Sequence, residues 1–461
     1  MSFRHPKYPR ALSVRFKNSF KNTLNKLSFQ KTERKPWTVL ITGGAGHLAE
    51  QLVLKLVENM REDMRPQIMA SLDFNDIEQI EGARAKKHRL LTMIEKEINF
   101  RMASYIQIVL VDLVRPTNRN LTGNGYVTFV EGSFTDENKM RTALVNVDSI
   151  FHLAAVGMTG QFANDLTACI EINSLGTSNL INLARAAGVQ RFIYTSSIGV
   201  IFEGKPLNDA LESVDYPKTF YNFYCESKKQ AEESVRKLST LELKTTVLRF
   251  NGIYGPGEKR VTDRVAEFML GGWWIGICKP DGKEAMTQLS SVANCVQGLI
   301  KAEKALRAPD ARHGQVYNIM DKNPVGTFTF WTPLNSELGF TNWMIPVHVE
   351  LLRWLCWVCE KYASFRNTDP LVTRLEIDLL TINNTFNLDR ARRDLEYEPY
   401  PDQMGEIVDY YKAKLSSPHY GQQRTQFFFF RIYFLATAIP LLAFFFYWLI
   451  NKIIWLWGQF L

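Results

Sequence analysis

The chain has 461 residues, of which 46% are hydrophobic and 22% are charged, so its composition matches a folded globular protein and excludes a disordered one. Its formal charge of +8 comes from one end, because residues 1–35 hold ten Lys or Arg and a single acid, Glu33. The rest of the chain is close to neutral. This distribution excludes a nucleic-acid-binding enzyme, since following phosphates requires Lys and Arg gathered on the folded surface.

In chain order, the first predicted element is a basic amphipathic tail over residues 1–35. Its apolar residues recur at helical spacing among Lys and Arg, namely Leu12, Phe16, Phe20, Leu24 and Leu27. Such a helix can lie on an anionic cytoplasmic membrane surface. A mitochondrial presequence and a solvated, disordered tail fit the same residues, and all three interpretations stay open.

The pattern of a dinucleotide-binding site comes next. Residues 37–42 predict a short buried strand, residues 43–49 are rich in glycine, and residues 50–58 have helical periodicity. In this order the glycines occupy the turn where a pyrophosphate approaches the backbone and the helix N-terminus. The predicted cofactor contacts are Gly43, Gly46 and Ala49. At position 49, alanine replaces the third glycine that is usual in this turn.

The second strand of such a site ends in an acid that binds the adenine ribose, and two acids compete. We prefer Asp112, because residues 106–111 form a longer and more β-branched run. Asp73 lies at the more usual distance from the glycines, so preferring Asp112 implies an insertion, which we place in the charged residues 76–101. Either acid favours NAD over NADP, although the nearby Arg115 weakens that argument.

Two further strands present small and hydroxylated residues at their carboxyl ends, where ligands bind in such sheets. Residues 149–155 predict a fourth strand whose small residues, Ala154 among them, leave room for a passing cofactor. Residues 191–197 predict the next strand, which ends in two hydroxyls, with Ser197 preferred over Ser196.

A Tyr-x-x-x-Lys pattern follows on a predicted helix. Tyr224 and Lys228 are four residues apart and therefore share one helix face. An ammonium one turn away stabilises a phenolate and lowers the pKa of the phenol from its usual value of about 10. Tyr224 is thus predicted to be the general acid/base residue, because the Tyr-x-x-x-Lys pattern occurs together with the glycine turn and the strand that ends in serine.

The six cysteines argue against a metal centre. Only Cys356 and Cys359 are close in sequence, and they lie in an apolar, Trp-rich stretch with no second pair elsewhere. A zinc site needs such a second pair of ligands, and we therefore predict no metal. The N-terminal region lacks the apolar core of a secretory signal, so we expect free, buried thiols in a reducing compartment.

The C-terminal end predicts a membrane anchor. Residues 432–450 contain no charge, and ~20 apolar residues suffice to cross a bilayer core as a helix. Lys452, Trp455 and Trp457 flank this run as interfacial residues do. We predict one span within an anchor at residues 427–461, with a hairpin left open. A second membrane contact is expected at residues 345–362, which are too short and too charged for a span.

These motifs together resemble the extended short-chain dehydrogenase/reductase superfamily, which couples the glycine turn, a strand ending in Ser and Tyr-x-x-x-Lys. Within it, residues 194–200, 224–232 and 248–257 look most like the 3β-hydroxysteroid dehydrogenase/isomerase family. The similarity continues through residues 314–319 and 386–395, so it covers about residues 37–415.

The resemblance implies an α/β fold, a Rossmann-type doubly wound parallel sheet with a small C-terminal substrate subdomain. With the anchor, the expected division is a tail at 1–35, an NAD-binding domain at 36–250, a substrate-binding part at 251–420 and a transmembrane helix within 427–461. The resemblance also leaves a homodimer open.

Carried over residue by residue, the resemblance implies that Tyr224 is the proton acceptor, that Lys228 lowers its pKa and binds the ribose, and that Ser197 positions the substrate oxygen. Asn173 matches the position that organises a proton relay. The chain departs from the family at three positions that bear on cofactor affinity, namely His47, Ala49 and Ser133.

The expected function is NAD-dependent oxidation of a 3β-hydroxysteroid or sterol to the 3-oxosteroid, with Δ5 to Δ4 isomerisation resting on the resemblance alone. The alternatives are a sterol 4-carboxylate 3-dehydrogenase, which shares the triad, and a non-catalytic NAD-binding membrane scaffold. The expected location is the endoplasmic reticulum membrane with a cytoplasmic catalytic domain, and a mitochondrial membrane stays open. Membrane lipid and a steroid or sterol are the expected partners.

Overall fold

The computed structural model describes residues 35–71, 83–118, 121–157, 163, 165–272, 274–340, 344–366, 368, 370 and 372–416. The predicted tail up to residue 34, the competing acid Asp73 and the predicted anchor at residues 427–461 lie outside these ranges.

Strands and helices alternate along the first half of the chain. The strands are β1 (Trp37–Thr42), β2 (Ile106–Asp112), β3 (Val127–Glu131), β4 (Ser149–His152), β5 (Arg191–Ser197), β6 (Leu207–Ala210), β7 (Lys244–Phe250), β8 (Ile253–Tyr254), β9 (Gly276–Cys278), β10 (Met286–Thr287), β11 (Ser290–Ser291), β12 (Gln315–Asn318), β13 (Val325–Gly326), β14 (Met344–Pro346) and β15 (Asn384–Phe386). The α-helices of six residues or more in the described ranges are α1 (His47–Ser71), α2 (Ala83–Tyr105), α3 (Glu137–Ala143), α4 (Thr177–Ala186), α5 (Phe223–Lys237), α6 (Thr262–Leu270), α7 (Val292–Leu306), α8 (Thr332–Glu337), α9 (Val349–Arg366), α10 (Arg374–Thr381), α11 (Asp389–Leu395) and α12 (Met404–Leu415).

A seven-stranded parallel sheet forms the centre, in the order β12-β7-β5-β4-β1-β2-β3. In β1 the side chains of Val39, Leu40 and Ile41 are all fully buried, because helices cover both faces of such a sheet. The strand order reverses beside β1, which is where a doubly wound sheet opens a ligand crevice. The predicted Rossmann-type fold is confirmed.

The described part of the predicted insertion, residues 83–101, lies in a long helix between the first two strands of the sheet. α2 packs on α1, with Ile94 and Ile98 buried and Glu95 paired to Arg61 at 3.3 Å and Arg65 at 2.7 Å. It leads directly into β2, which pairs in register with β1. The second strand of the fold therefore ends at Asp112, as the choice of that acid required.

The C-terminal part is assembled from short strands distant in sequence. β6, β10, β13 and β15 form a second sheet in the order β13-β10-β15-β6. The chain also returns to the first sheet, because β12 pairs with β7 and α7 packs against β5, β7 and α1. The two parts are thus interleaved in sequence on both sides of residue 250.

No helix in the described ranges is long and apolar enough to cross a membrane. The predicted second membrane contact forms β14 and α9, and much of its apolar surface is exposed.

Candidate active site

The glycine turn joins β1 to α1 in a backbone conformation that glycine adopts readily. Gly43 has a φ of +71°, and a Cβ there would lie 3.0 Å from the backbone nitrogen of Ala154. The Gly46 N–H donates to the Gly43 carbonyl at 2.9 Å, and the Glu50 N–H donates to the Gly46 carbonyl at 3.0 Å, which starts α1. The turn therefore places a helix N-terminus at the crevice, where a pyrophosphate is stabilised.

Two alanines predicted at the cofactor site pack beneath this turn. Ala154 is the residue whose backbone approaches Gly43, so it leaves room for glycine alone at that point. Ala49 is 1% exposed and belongs to the core beneath α1, where its methyl group packs without displacing the helix. Both keep the turn close to the sheet.

Asp112 lies beside the glycine turn at the carboxyl end of β2. The N–H of Ala45 donates to its Oδ2 at 3.0 Å, and the N–H of Val114 donates to its Oδ1 at 3.2 Å. A carboxylate oxygen accepts more than one hydrogen bond, so this oriented group can still accept from ribose hydroxyls. Arg115 faces Glu131, with its Nε 3.6 Å from the carboxylate.

The two serines at the end of β5 have different partners. Ser196 donates to the buried carboxylate of Glu232 at 2.6 Å. Ser197 accepts a hydrogen bond from the Gly199 N–H at 3.2 Å and lines both cavities of the site. The preference for Ser197 as the residue that contacts substrate therefore has a geometric reason.

Tyr224 and Lys228 lie together on the buried face of α5. The side chain of Asn222 caps this helix by accepting from the Cys225 N–H at 2.9 Å. The Lys228 Nζ donates to the carbonyl of Thr195 at 2.6 Å, at the end of the serine strand. Both side chains line the cleft that starts at the glycine turn.

The electrostatics of this pair differ from the prediction. Burial raises the pKa of Tyr224 well above its usual range, and the hydrogen bond with Ser197 and the charge of Arg260 only partly oppose this. Burial also lowers the pKa of Lys228 from 10.5 to about 7, while Glu232 opposes that fall. The predicted lowering of the Tyr224 pKa is therefore wrong, because burial of the phenol raises its pKa by more than the neighbouring groups lower it.

Asn173 lies in a π-helix, Cys169–Gly176, that runs into α4. Its Oδ1 accepts from the Val156 N–H at 2.8 Å, and its Nδ2 donates to Ser227 Oγ at 3.0 Å. Asn173 is buried and joins the loop after β4 to α5, the helix of Tyr224 and Lys228. Single π-helical segments often occur at functional sites, since they redirect side chains within a helix.

An apolar cavity opens next to the cofactor cleft. Residues of α6 and α10 line it together with the end of β5, and it holds about 1270 Å³ of empty space including its mouth. Its apolar walls include Val265, Phe268, Trp331, Leu375 and Leu379. The cleft and the cavity share Ser197, Gly252, Arg260 and Val261.

The segment after β8 supplies residues that the sequence reasoning missed. Residues 257–261 form the wall of the cleft that faces the glycine turn. Glu258 fixes this wall, because its carboxylate accepts from the N–H groups of Arg260 at 2.8 Å and Val261 at 2.7 Å. The glycine-rich run at residues 252–257 was a usable signal for a tight turn at a ligand.

The sequence reasoning also missed a buried ion pair behind α5. Glu232, one turn after Lys228 on α5, accepts from Arg249 Nε at 3.1 Å and from the hydroxyl of Tyr216 at 2.9 Å. Both charged side chains are almost fully buried. The i, i+4 spacing of Lys228 and Glu232 could have pointed to this residue.

The arrangement as a whole joins a cleft that holds polar groups to an apolar cavity, and the two meet at the hydroxyl of Ser197. The cleft offers a glycine turn, an oriented carboxylate and a buried lysine, which fit a dinucleotide. The cavity fits a large apolar molecule, one end of which would meet Ser197. Such a site can remove a proton and a hydride from an alcohol at the end of a hydrophobic substrate.

Comparison with known proteins agrees with this geometry. The sequence profile of the 3-beta hydroxysteroid dehydrogenase/isomerase family matches residues 90–347. A Caenorhabditis elegans protein named 3beta-hydroxysteroid dehydrogenase/Delta(5)-Delta(4) isomerase 1 is 55% identical over 84% of this chain and 81% of its own length. A Mycolicibacterium neoaurum 3-beta-hydroxysteroid dehydrogenase is 32% identical over 62% of this chain and 80% of its own length.

Solved structures share the fold at lower identity. The UDP-glucose 4-epimerase of Thermotoga maritima has a TM-score of 0.55 and 20% identity, covering 82% of this chain and 100% of its own. The UDP-glucuronic acid 4-epimerase of Bacillus cereus, solved with NAD, has a TM-score of 0.56 and 16% identity, covering 82% and 97%. These structures are similar in fold alone.

Proposed function

Because the chain belongs to the 3-beta hydroxysteroid dehydrogenase/isomerase family, we propose that it oxidises the 3β-hydroxyl of a steroid or sterol to a 3-oxo group with NAD. The observation that carries this proposal is the meeting of the polar cleft and the apolar cavity at Ser197. A sterol in the cavity would present its 3-hydroxyl to Ser197 and to the neighbouring Tyr224.

The residues of the cleft fit the cofactor. The space at Gly43 is closed to any side chain, and Asp112 is held by two backbone N–H groups beside it. When bound, NAD supplies the hydride acceptor. The carboxylate of Asp112 would bind the ribose hydroxyls and disfavour a 2′-phosphate, which favours NAD over NADP.

The proton steps fall to this chain's own side chains. Ser197 would hold the substrate oxygen, and the Tyr224 phenolate would take the hydroxyl proton as the carbon–hydrogen bond breaks. The raised pKa of Tyr224 makes the phenolate scarce at neutral pH. Oxidation should therefore become faster as the pH rises, and a cationic cofactor beside the phenol would lower its pKa.

The deciding experiment incubates the purified full-length protein with NAD and a panel of 3β-hydroxysterols, following the absorbance of reduced cofactor. The panel includes sterols with and without a 4-carboxylate. Turnover of at least one 3β-hydroxysterol, with none of its 3α epimer, is the expected result. Absence of turnover on every sterol would reject the dehydrogenase and favour the non-catalytic scaffold.

Arg260 favours a second candidate, the sterol 4-carboxylate 3-dehydrogenase. This residue is exposed, lines both cavities and acts electrostatically on Tyr224. A guanidinium there could bind a carboxylate next to the reacting hydroxyl. If so, Arg260→Gln should slow turnover of 4-carboxysterols about tenfold or more and leave sterols without the carboxylate largely unaffected. An equal effect on both classes would argue against this candidate.

Isomerisation rests on a relative's name. The C. elegans relative is named as a dehydrogenase and a Delta(5)-Delta(4) isomerase, and we assign the isomerase step to no residue of this chain. The appearance of a conjugated 3-oxo-4-ene product from a Δ5 substrate would establish it.

We further propose attachment to the endoplasmic reticulum membrane through residues 427–461, with the catalytic part in the cytoplasm. The support is the uncharged run at residues 432–450 with its aromatic and basic flanks. Placing Arg at both Leu442 and Phe445 should release the full-length chain from membranes under alkaline extraction. Cell fractionation against mitochondrial markers tests the competing location, and sedimentation of the solubilised protein tests whether the chain forms the homodimer that the resemblance leaves open.

A further inference from the structure

His152 is a buried histidine at the carboxyl end of β4 that the proposed reaction does not use. Its side chain is fully buried, and the rings of Phe134, Phe192 and Tyr194 pack against it with centroids 4.7, 5.7 and 5.7 Å away. An imidazole in such surroundings needs a partner for each ring nitrogen, because an unpaired buried polar group costs free energy. The two partners therefore show which segments the residue connects.

Each ring nitrogen meets a threonine hydroxyl. Nδ1 lies 2.7 Å from Oγ1 of Thr42, the last residue of β1, and Nε2 lies 2.9 Å from Oγ1 of Thr177, the first residue of α4. Both threonines are at most 1% exposed. The imidazole thus joins the strand before the glycine turn to the helix that follows Asn173.

The partners fix the direction of each of these hydrogen bonds. The Thr177 hydroxyl donates to the carbonyl of Asn173 at 2.6 Å, so its oxygen accepts from Nε2 of His152, which must carry the proton. In a neutral imidazole Nδ1 is then the acceptor, and the Thr42 hydroxyl donates to it. The Thr42 oxygen in turn accepts from the Ala154 N–H at 3.2 Å. Only the Nε2–H tautomer satisfies all of these bonds.

The surroundings also keep the imidazole neutral. Burial lowers the pKa of His152 from 6.5 to about 3, and the charge of Lys228 acts in the same direction. Since this pKa lies far below neutral pH, the ring presents one donor and one acceptor there. The hydrogen-bond directions are therefore those of a single protonation state.

At one end, these bonds fix the glycine turn. Thr42 directly precedes Gly43, and a Cβ at Gly43 would lie 3.0 Å from the backbone nitrogen of Ala154. The Thr42 hydroxyl accepts from the N–H on that same nitrogen, so it sets how closely the end of β1 approaches the loop after β4. The turn that would receive the NAD pyrophosphate begins at this point.

At the other end, the bonds reach the helix of Tyr224. The carbonyl of Asn173 accepts from Thr177, while its side-chain Nδ2 donates to Ser227 Oγ at 3.0 Å. Ser227 in turn donates to the backbone carbonyl of Tyr224 at 2.9 Å. Asn173 and Ser227 are at most 1% exposed, so bulk water cannot replace a bond that is lost here.

We propose that His152 is a positioning residue of the active site, which holds the glycine turn through Nδ1 and the Asn173–Ser227 contact to α5 through Nε2. The Nδ1 bond acts on cofactor affinity, because it places the turn. The Nε2 bond acts on the rate of the chemical step, because a small displacement of a reacting group can slow a reaction by about a hundredfold. The role in the chemical step rests on the proposed function, whereas the role at the turn concerns NAD binding alone.

Two substitutions of His152 separate these roles. In His152→Asn the amide oxygen can occupy the position of Nδ1 and accept from Thr42, but the side chain does not reach Thr177. In His152→Gln the amide nitrogen can occupy the position of Nε2 and donate to Thr177, but nothing accepts from Thr42. His313→Gln is the matched control, because His313 is a partly buried histidine that bonds Ser239 and lines neither the cleft nor the cavity.

We expect His152→Gln to weaken NAD binding about tenfold with kcat at saturating NAD nearly unchanged, and His152→Asn to lower kcat about tenfold with NAD affinity nearly unchanged. Calorimetric titration with NAD and initial rates on the full-length protein measure the two quantities. His313→Gln should match the unchanged protein in both. Equal losses of affinity and rate in the two His152 variants would mean that the residue only supports the core, and would overturn the proposal.

Amide hydrogen exchange makes the same comparison without turnover. His152→Gln should speed exchange about tenfold in residues 43–50, and His152→Asn should do so in residues 169–176, because each loses the bond that holds that segment. This separation in a protein that oxidises no sterol would reject the proposed function and leave the positioning role intact. Faster exchange in both segments for both variants would overturn the positioning role.

The threonines repeat the test if the His152 variants fail to fold. Thr42→Val and Thr177→Val each remove one hydroxyl, while Thr42→Ser and Thr177→Ser keep it. Thr42→Val should weaken NAD binding and Thr177→Val should lower kcat, each by about tenfold, and each serine variant should stay close to the unchanged protein. The same loss from both valine variants, or serine variants as impaired as the valine ones, would contradict the proposal.

Discussion

The cofactor cleft and the apolar cavity are built in contrasting ways. In the cleft, the glycine turn and Asp112 lie at the ends of strands of one parallel sheet, and Lys228 reaches them from α5; Asp112 and Lys228 have named hydrogen-bond partners, as Asp112 has in Ala45 and Val114. In the cavity, apolar side chains come from α6, from α10 and from connecting segments that are far apart in sequence. The difference teaches that the chemistry depends on a few oriented polar groups, while substrate choice depends on the shape of a surface that tertiary packing creates.

The largest expected effect comes from removing the hydroxyl of Tyr224, the proposed base. Tyr224→Phe should lower kcat by about a thousandfold, because general-base catalysis contributes on the order of 10²–10⁴. NAD affinity should change little, since the ring stays in place. Initial rates and NAD titrations on the same preparation measure both. Activity equal to the unchanged protein would refute Tyr224 as the base.

Asp112→Ala should weaken NAD binding by about ten- to a hundredfold, because it removes charge-assisted hydrogen bonds worth about 1.5–3 kcal/mol. It should leave kcat at saturating NAD nearly unchanged. Calorimetric titration gives the affinity, and Asp73→Ala is the matched control, expected to bind NAD normally. The reverse pattern would transfer the ribose contact to Asp73.

A change confined to the cavity should separate the two regions. Leu379→Trp places a larger side chain in the apolar wall of the cavity. It should raise the sterol KM by about tenfold, because the added volume takes up space that the sterol needs. NAD affinity should stay the same, because residue 379 does not line the cleft. A parallel loss of NAD affinity would mean that the two regions are not independent.

The last prediction concerns the stability of the chain instead of its activity, through the buried amine of Lys228 in the cleft. Since the Lys228 pKa is lowered from 10.5 to about 7, the unfolded chain binds more protons than the folded one between these values. The contribution of Lys228 to the free energy of unfolding therefore increases as the pH rises through this window. Denaturant titrations should show that Lys228→Met is more stable than the unchanged protein near pH 7. As the pH rises, the unfolding equilibrium constants of the two proteins should approach each other by up to about tenfold per pH unit. A gap independent of pH would contradict the lowered pKa.

The sequence by itself determined the features that depend on local chemistry. The order of strand, glycine turn and helix predicted the Rossmann-type sheet, and the β-branched run before Asp112 predicted the second strand through an insertion. The spacing of Tyr224 and Lys228 predicted that they share a face of α5, because helix geometry alone fixes that relation.

Only the tertiary structure decided what depends on surroundings. It showed that Ser196 turns to Glu232 while Ser197 faces the site, a choice that two adjacent serines leave open in sequence. It reversed the expected direction of the Tyr224 pKa, because desolvation by distant segments is invisible in a motif. It also showed apolar residues of α9, such as Leu351, Trp354 and Tyr362, facing outward, since periodicity gives a helix an apolar side and only packing decides which way that side points.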